Sequence, residues 1–358
     1  MTKVHEHSGN VSFLRPLALA AAVLAGVAAS GAARAQGKAP FGPWQAKVLR
    51  NHPLVGQIID AKTLAPVSRK QLEERLGKAA IAIFGEVHDN PDHHRIQARL
   101  LRAFAKGRGK PPKVVYEMIP LDKEGALSAL KGARKLSANA VFDIVDWDKS
   151  GWPSRALYAP VMRATVDISG LPVPAGLPRD LVRKVSKQGL AALTRMQIGQ
   201  YRLGPLPPKM QKALEKDIIK SHCDMIPPAA ARAMAPVQRL RDALLAAQLA
   251  DAWQKAGSAA LIAGDGHARK DRGAPYYLKR QKAPFMGTRA RDIPDPLVVW
   301  LAEANDKAAT IRDLLPKDAS PAQLADIIIV TPRAKREDPC ERFRKFMRHK
   351  NKSGKMDN

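Results

Sequence analysis

The chain has few of the residues on which several common protein classes depend. Aromatic residues make up only 5% of its 358 positions, so stacking platforms for single-stranded nucleic acid are scarce. The sequence has no Gly-x-Ser-x-Gly, P-loop or His-Glu-x-x-His motif, which argues against serine hydrolases, nucleotide enzymes and zincins. It has no Cys-x-x-Cys-His motif either, which excludes covalent c-type haem as far as that signature reaches.

Cysteine is limited to two residues, Cys223 and Cys340. In an oxidising compartment two otherwise unpaired cysteines can join, and we expect one disulfide between them. Neither cysteine lies near the N-terminus, so none is placed to carry a lipid anchor there.

Long apolar runs are confined to the N-terminus, where Leu17–Ala29 is almost wholly apolar. This run is too short for a comfortable membrane span. Ala33-Arg34-Ala35 fits a small-x-small cleavage site before Gln36. We therefore predict a signal peptide at residues 1–35 and a periplasmic or secreted mature protein; a retained signal anchor is the alternative.

Acidic residues are in short supply: 33 Asp and Glu face 60 Lys and Arg, for a net charge of +27. Such a charge favours anionic partners, namely carboxylate ligands, anionic polymers or an anionic membrane surface. Because export is predicted, we do not expect nucleic acid as a partner. The alternative interpretation is that the charge serves solubility alone.

The remaining sequence has the pattern of one α/β domain at residues 36–335, with a basic C-terminal tail at 336–358 that is partly disordered. We predict a mostly parallel sheet flanked by helices, because a strand-helix-strand unit opens the domain. Residues 181–256 are helical in pattern and are predicted to form an insertion or lid. The predicted strands are 79–84, 113–118, a proline-containing edge strand at 171–176, 259–263, 297–302 and 326–331.

Two Gly-x-x-His motifs follow short apolar runs of the kind that form buried strands. The first is Gly85-Glu86-Val87-His88 and the second is Gly264-Asp265-Gly266-His267. In open α/β sheets, ligands bind outside the carboxyl ends of the strands. If the two strands are neighbours, the motifs bring Glu86, His88, Asp265 and His267 around one crevice.

Further polar residues follow the same strands. Glu117 ends the second predicted strand and is a candidate ligand or general base. His93 and His94 fall in the first turn of the predicted helix after His88, so we expect at least one of them at the surface. Imidazole and carboxylate groups suit zinc, manganese or iron, and we consider His88, His267 and Glu86 the candidate ligands of a divalent metal.

Other side chains are candidates for holding an anionic, iron-containing ligand. Arg179 and Arg269 are potential clamps for carboxylates. Tyr158 and Tyr201 are candidate phenolate ligands for ferric iron. His222, next to Cys223, is either a ligand from the lid or a helix-end histidine.

Several segments together resemble the ChaN-like haem-binding proteins, and the resemblance spans roughly residues 55–335. The matching segments are Gly85–His94, Glu117-Met118, Trp147–Tyr158, Gly176–Arg179, His222-Cys223, Gln238–Ala250 and Gly264–Arg269. The wider group also includes TIKI-type metalloproteases and erythromycin-esterase-like proteins. This chain departs from the lipoprotein members of the family, because no lipidated cysteine follows its leader.

The resemblance implies an α/β core with a helical subdomain and haem bound noncovalently between two subunits. It implies a role in haem or iron uptake, a homodimer, and a haem transporter or receptor as partner. By the same likeness His88, His267, Glu86 and Glu117 line the shared crevice, and either Tyr158 or Tyr201 ligates the iron. The competing hypothesis is a metal-dependent hydrolase that uses the same four residues for catalysis.

Overall fold

The computed structural model describes residues 40–133, 136–282 and 292–353. The predicted signal peptide at 1–35 lies outside these residues. No helix in the described part of the chain is both long and apolar enough to cross a membrane.

The described residues form a single sheet of seven strands in the order β1-β7-β6-β2-β5-β3-β4. All neighbouring strands are parallel except β1 and β7, which are antiparallel. The predicted α/β class with a mostly parallel sheet is therefore confirmed. The strands are β1 (Ile58–Asp60), β2 (Ile81–Glu86), β3 (Lys113–Pro120), β4 (Val173–Gly176), β5 (Ala259–Gly264), β6 (Leu297–Glu303) and β7 (Ile327–Thr331).

Helices cover both faces of this sheet. They are α1 (Arg69–Lys78), α2 (Pro91–Ala105), α3 (Glu124–Ser128), α4 (Ala138–Ile144), α5 (Arg155–Ser169), α6 (Arg179–Gln188), α7 (Arg195–Gln200), α8 (Pro208–Ser221), α9 (Pro228–Ala256), α10 (Asp265–Ala268), α11 (Ala274–Gln281), α12 (Pro321–Leu324) and α13 (Pro339–Ser353).

Two apolar cores separate these layers. One core joins the sheet to α9 and α11, with Leu240, Leu244 and Leu261 among its buried residues. The other joins the opposite face to α1, α2 and α5. Because both faces are covered, β2 and β5 are buried along their whole length, which explains why these strands are continuous apolar runs instead of alternating patterns.

Local sequence signals place the helix ends. Ser68 and Gln71 form the capping box that opens α1. Asn90 caps α2 by accepting a hydrogen bond from the Asp92 amide, with Pro91 in the first turn. The proline-containing β4 is an edge strand, as predicted, where the missing amide hydrogen of Pro174 costs least.

The C-terminal tail is more ordered than the sequence suggested. We expected partial disorder after Arg333, but residues 339–353 form α13. Arg336 anchors the approach to this helix through ion pairs to Asp89 and Glu303, both at 2.6 Å. The predicted disulfide is present and joins Cys340 of α13 to Cys223, 117 positions earlier, at the end of α8.

Candidate functional site

The two Gly-x-x-His motifs lie side by side at one edge of the sheet. Strands β2 and β5 are parallel neighbours, and their register pairs Glu86 with Gly264. Each motif therefore begins where its strand ends, and the turns that follow carry His88 and His267 to the same side. The prediction that the two strands are adjacent is confirmed.

The first histidine, His88, is held through one ring nitrogen. Its Nδ1 lies 2.9 Å from Glu86 Oε1 and 3.1 Å from the hydroxyl of Tyr158. Its Nε2 has no hydrogen-bond partner among the described residues, and 32% of the side chain is exposed. Burial opposes the charged ring, but Glu86 and Glu117 outweigh it and raise the pKa of His88 to about 9.

Glu86 is the buried centre of this group. Tyr158 donates a 2.6 Å hydrogen bond to its Oε1, and His94 Nδ1 lies 2.8 Å from its Oε2. Burial would raise the pKa of Glu86, yet the charges of His94 and His88 hold it well below the usual range. The carboxylate is therefore ionised and shared by two histidines and one tyrosine.

The expectation that His93 or His94 is at the surface was wrong, because both are fully buried. His93 Nδ1 accepts a 2.8 Å hydrogen bond from the Val87 amide, and its Nε2 lies 2.8 Å from Thr331 Oγ1. His94 Nε2 donates to the His88 carbonyl at 2.9 Å. Both rings serve the backbone at the end of β2, which would otherwise be buried without partners.

The second histidine, His267, is oriented by a residue from a different helix. Its Nδ1 lies 2.6 Å from Oδ1 of Asp242 in α9, and its Nε2 lies 3.4 Å from Glu117 Oε1. Burial opposes protonation of the ring, but Glu117 and Asp242 raise the pKa of His267. Both histidines thus use Nδ1 for a carboxylate, and Nε2 of His267 faces a second one, Glu117.

Glu117 connects the two histidines. Its Oε2 accepts a 2.8 Å hydrogen bond from the Gly264 amide, while its Oε1 faces His267. A Cβ atom added to Gly264 would lie 2.8 Å from His88 Nε2 and 3.6 Å from Glu117 Oε2. The glycine is therefore needed for close approach, and Glu86, His88, Glu117 and His267 form one cluster.

A cleft of about 420 Å³ lies beside this cluster, outside the ends of β3 and β4. Trp152 lines the cleft, and its ring lies 4.8 Å from that of His88, so this side chain connects the cleft to the cluster. Arg179 is on the rim, where it donates hydrogen bonds to the carbonyls of Lys149 and Ser150 at 3.0 and 3.1 Å. Apolar side chains line the cleft, among them Met118, Val145, Trp147, Trp152 and Leu177. Its rim carries three basic residues, Lys123, Lys149 and Arg179, and three acidic residues, Asp122, Asp146 and Asp180.

The structure does not bring all the sequence candidates to this cleft. Tyr158 is fully buried, and burial together with the charge of Glu86 raises its pKa well above the usual value. Tyr201 is half-buried at the end of α7 and packs against the core that contains α9. His222 caps the end of α8, where its Nδ1 donates to the Ile218 carbonyl at 2.7 Å.

Arg269 is also committed elsewhere. Its guanidinium pairs with Asp271 at 2.6 Å, Asp217 at 3.0 Å and Asp318 at 3.5 Å. Only 5% of the side chain is exposed, and Arg272 shares the same carboxylates. We expected this loop to offer cations to a ligand; instead, the two arginines are neutralised by nearby aspartates from α8 and two loops.

The cluster does not form a ready metal site. Within the described ranges, no group of three or more His, Cys, Asp or Glu side chains is arranged to hold a metal ion. The histidines and carboxylates instead face one another in pairs.

Two members of the site were missed in the sequence. Asp242 is buried within the apolar face of α9, between Leu240 and Leu244; a carboxylate on such a face was the available signal. Trp152 had no signal of its own beyond its place in a matching segment. Asp265, which the second motif placed at the crevice, is buried, and burial raises the pKa of its carboxyl group above the usual value.

Comparison with known proteins places this site in a family. The model of a family described as "Haem-binding uptake, Tiki superfamily, ChaN" matches residues 72–278. This match covers more than half of the sequence, and the chain belongs to that family. No curated protein matches the chain.

The fold is shared with a known structure. The structure titled "Cofacial heme binding to ChaN of Campylobacter jejuni" aligns with a TM-score of 0.57 at 18% identity, over 76% of this chain and 95% of that one. An erythromycin esterase mutant in its open conformation aligns with a TM-score of 0.40 at 11% identity, over 83% of this chain and 99% of that one. Only the first of these likenesses supports the shared fold.

Proposed function

We propose that this member of the ChaN family binds haem noncovalently in the cleft beside His88 and serves haem or iron uptake outside the cytoplasm. One observation carries the proposal: His88 is anchored at Nδ1 by Glu86, leaves Nε2 without a partner among the described residues, and adjoins a cleft with apolar walls and both basic and acidic groups at its rim. The family described as haem-binding, to which the chain belongs, supports the same reading.

The residues present fit such a ligand. Histidines that bind metals usually donate their second ring N–H to a carboxylate, which fixes the ring and increases its basicity. The Glu86–His88 pair has this arrangement. Coordination requires the neutral ring, so Nε2 of His88 would have to lose its proton to bind iron. Nδ1 would remain protonated, because it donates its hydrogen to Glu86.

The cleft supplies the remaining features of a haem site. Its volume of about 420 Å³ falls within the range of roughly 300–1,000 Å³ that is typical of small-ligand pockets. Trp152, Met118 and Leu177 offer an apolar wall. Arg179 at the rim is suited to a propionate, because charge-assisted pairs of this kind are among the stronger polar contacts, whereas Lys149 is already paired with Asp146 at 3.7 Å.

In this proposal the residue that would hold the haem iron is His88 and not Tyr158. The Tyr158 hydroxyl is buried and donates to an ionised carboxylate, so forming a phenolate there would place two negative charges side by side. Tyr201 does not line the cleft. When bound, the haem iron supplies an open coordination position; the chain itself binds, orients and shields the macrocycle.

The decisive experiment is a titration of the exported protein with haemin, followed by absorbance. We expect a Soret band shifted from that of free haemin and a saturable stoichiometry. Size-exclusion chromatography with light scattering on the same samples tests the homodimer that the family resemblance implies. If the absorbance rises without saturation at every protein concentration, haem binding is refuted.

Hydrolysis is the second candidate, and a specific observation favours its acid-base form. Asp242 fixes the His267 ring so that Nε2 faces Glu117 across the crevice from His88. An imidazole oriented by a buried carboxylate is the arrangement of a general base. Turnover of a chromogenic ester by the wild type, abolished in His267→Gln and dependent on added Mn²⁺ or Zn²⁺, would support it; zero turnover with and without metal would exclude it for that substrate class.

A further inference from the structure

Arg99 is a half-buried cation without a counter-charge. It lies in the middle of α2, and no hydrogen bond or ion pair links its guanidinium to a carboxylate or carbonyl within residues 40–133, 136–282 or 292–353. Burial, followed by the charges of Arg95 and Arg69, lowers the pKa of Arg99. A guanidinium carries five N–H donors, so leaving it unpaired beside like charges is costly unless an anion binds there.

The neighbouring arginines already have partners. Arg69 pairs with Glu73 at 2.7 Å and donates to the Pro40 carbonyl at 3.3 Å. Arg95 donates to the Pro43 carbonyl at 2.7 Å and to Asp92 at 3.3 Å. These contacts hold the side chains of Arg69 and Arg95 near Arg99, and they leave the positive charge of Arg99 without a counter-ion.

Arg99 is part of a groove between α1 and α2 with a volume of about 580 Å³. Five basic and two acidic side chains line it, and Glu73, one of the acidic pair, is already bound to Arg69. The groove is therefore strongly positive. Its lining residues are Arg69, Lys70, Glu73, Glu74, Gly77, Arg99, Arg102, Ala103 and Lys106.

The groove lies where the described chain begins. The segment that starts at Pro40 runs along it, and Arg99 stands against Gly42, where an added Cβ would lie 3.1 Å from Nη2.

We propose that the α1–α2 groove binds the phosphate groups of an anionic lipid leaflet, with Arg99 as the residue that contacts phosphate. The guanidinium fork matches a phosphate bidentately, and Lys70, Arg102 and Lys106 surround it at the surface. The site is separate from the crevice at His88, and it does not depend on haem binding.

The test is flotation of the purified exported protein with vesicles of phosphatidylcholine alone, or with about 30 mol % phosphatidylglycerol added. Binding should require the anionic lipid and weaken as salt rises. Arg99→Gln should lower the partition coefficient about fivefold, the effect of one basic residue at such a surface. Arg195→Gln is the matched control, since Arg195 is an exposed residue of α7 and its loss changes the net charge equally.

The result that supports the proposal is a loss in Arg99→Gln with a control that binds like the wild type. If vesicle binding falls equally in the two variants, the interaction depends on net charge alone and the proposal is overturned. It is also overturned if inorganic phosphate, at the lipid-phosphate concentration of the vesicles, displaces the protein completely, since the groove would then take free phosphate. Circular dichroism of both variants establishes that each is folded.

Discussion

The hydroxyl of Tyr158 donates a 2.6 Å hydrogen bond to Oε1 of Glu86, which lies 72 positions earlier in the chain. This contact ties α5 to the end of β2 and fixes the carboxylate that holds His88. Tyr158, a candidate iron ligand from the sequence, therefore positions Glu86 and through it His88.

Replacing Tyr158 by Phe should reduce stability and leave haem binding intact. The exchange removes one buried hydrogen bond to a charged group, a loss of about 1.5–3 kcal/mol in the free energy of unfolding. Urea unfolding measures that loss, and a haemin titration of the folded variant gives the affinity. A variant that loses its Soret band while still folded would make Tyr158 the ligand after all.

Gly264 provides a sensitive probe of the cluster. In Gly264→Ala the new Cβ would fall 2.8 Å from His88 Nε2, so the ring has to move away. We expect haem affinity to fall by about tenfold or more, the cost of a modest misplacement in a preorganised site. Since His88 is partly exposed, the melting temperature should change little.

Gly266→Ala is the matched control for this exchange, because no atom lies within 4 Å of a Cβ at that position. It should bind haemin like the wild type. If both variants bind equally well, His88 is not at the haem.

Because the ring of His93 is buried and neutral, we expect it to lower the stability of the folded protein in mild acid. Burial, followed by the charge of His94, lowers its pKa to about 3, against an unfolded value of 6.5. The stability contributed by the neutral ring is therefore fully present above pH 6.5 and lost as pH falls towards 3. Glu86, Asp89 and Arg336 also act on this ring.

Between pH 7 and pH 5 this single group should cost about 2 kcal/mol of the free energy of unfolding. Urea unfolding at the two pH values measures the difference. In His93→Gln the change in the free energy of unfolding between pH 7 and pH 5 should lack this contribution of about 2 kcal/mol. In His222→Gln that change should be the same as in the wild type. An unchanged pH dependence in His93→Gln would contradict the buried neutral ring.

The disulfide should stabilise the arm formed by α8. This helix shares a small core with α9, built on Ile218, Ala231 and Ala235, and Asp217 ties it to Arg269 and Arg272. The bond from Cys223 to Cys340 adds a covalent attachment at its C-terminal end. For a closed loop of this length, the chain-entropy estimate is about 5 kcal/mol. Guanidinium unfolding of oxidised and reduced protein should differ accordingly; coincident curves would contradict it.

Much of the fold could be predicted because strand and helix signals are local. Apolar runs that end at Gly85 and Gly264 located β2 and β5, and the parallel sheet then brought the two motifs together. The capping residues Ser68 and Asn90 likewise act on their own helices.

The partners of individual side chains could not be predicted in the same way. Asp242 reaches His267 only because α9 packs across the ends of the strands. The commitment of Arg269 to three aspartates depends on residues up to 52 positions away in sequence. Such pairings follow from tertiary packing, so the sequence identified the candidates but not their roles.

The central claim, that haem binds in the cleft through His88, is tested most directly by titrating haemin into His88→Gln and His222→Gln in parallel with the wild type. The account predicts that His88→Gln loses the shifted Soret band and its saturation, whereas His222→Gln retains both. A His88→Gln protein that is folded and binds haemin with the spectrum and affinity of the wild type would contradict it.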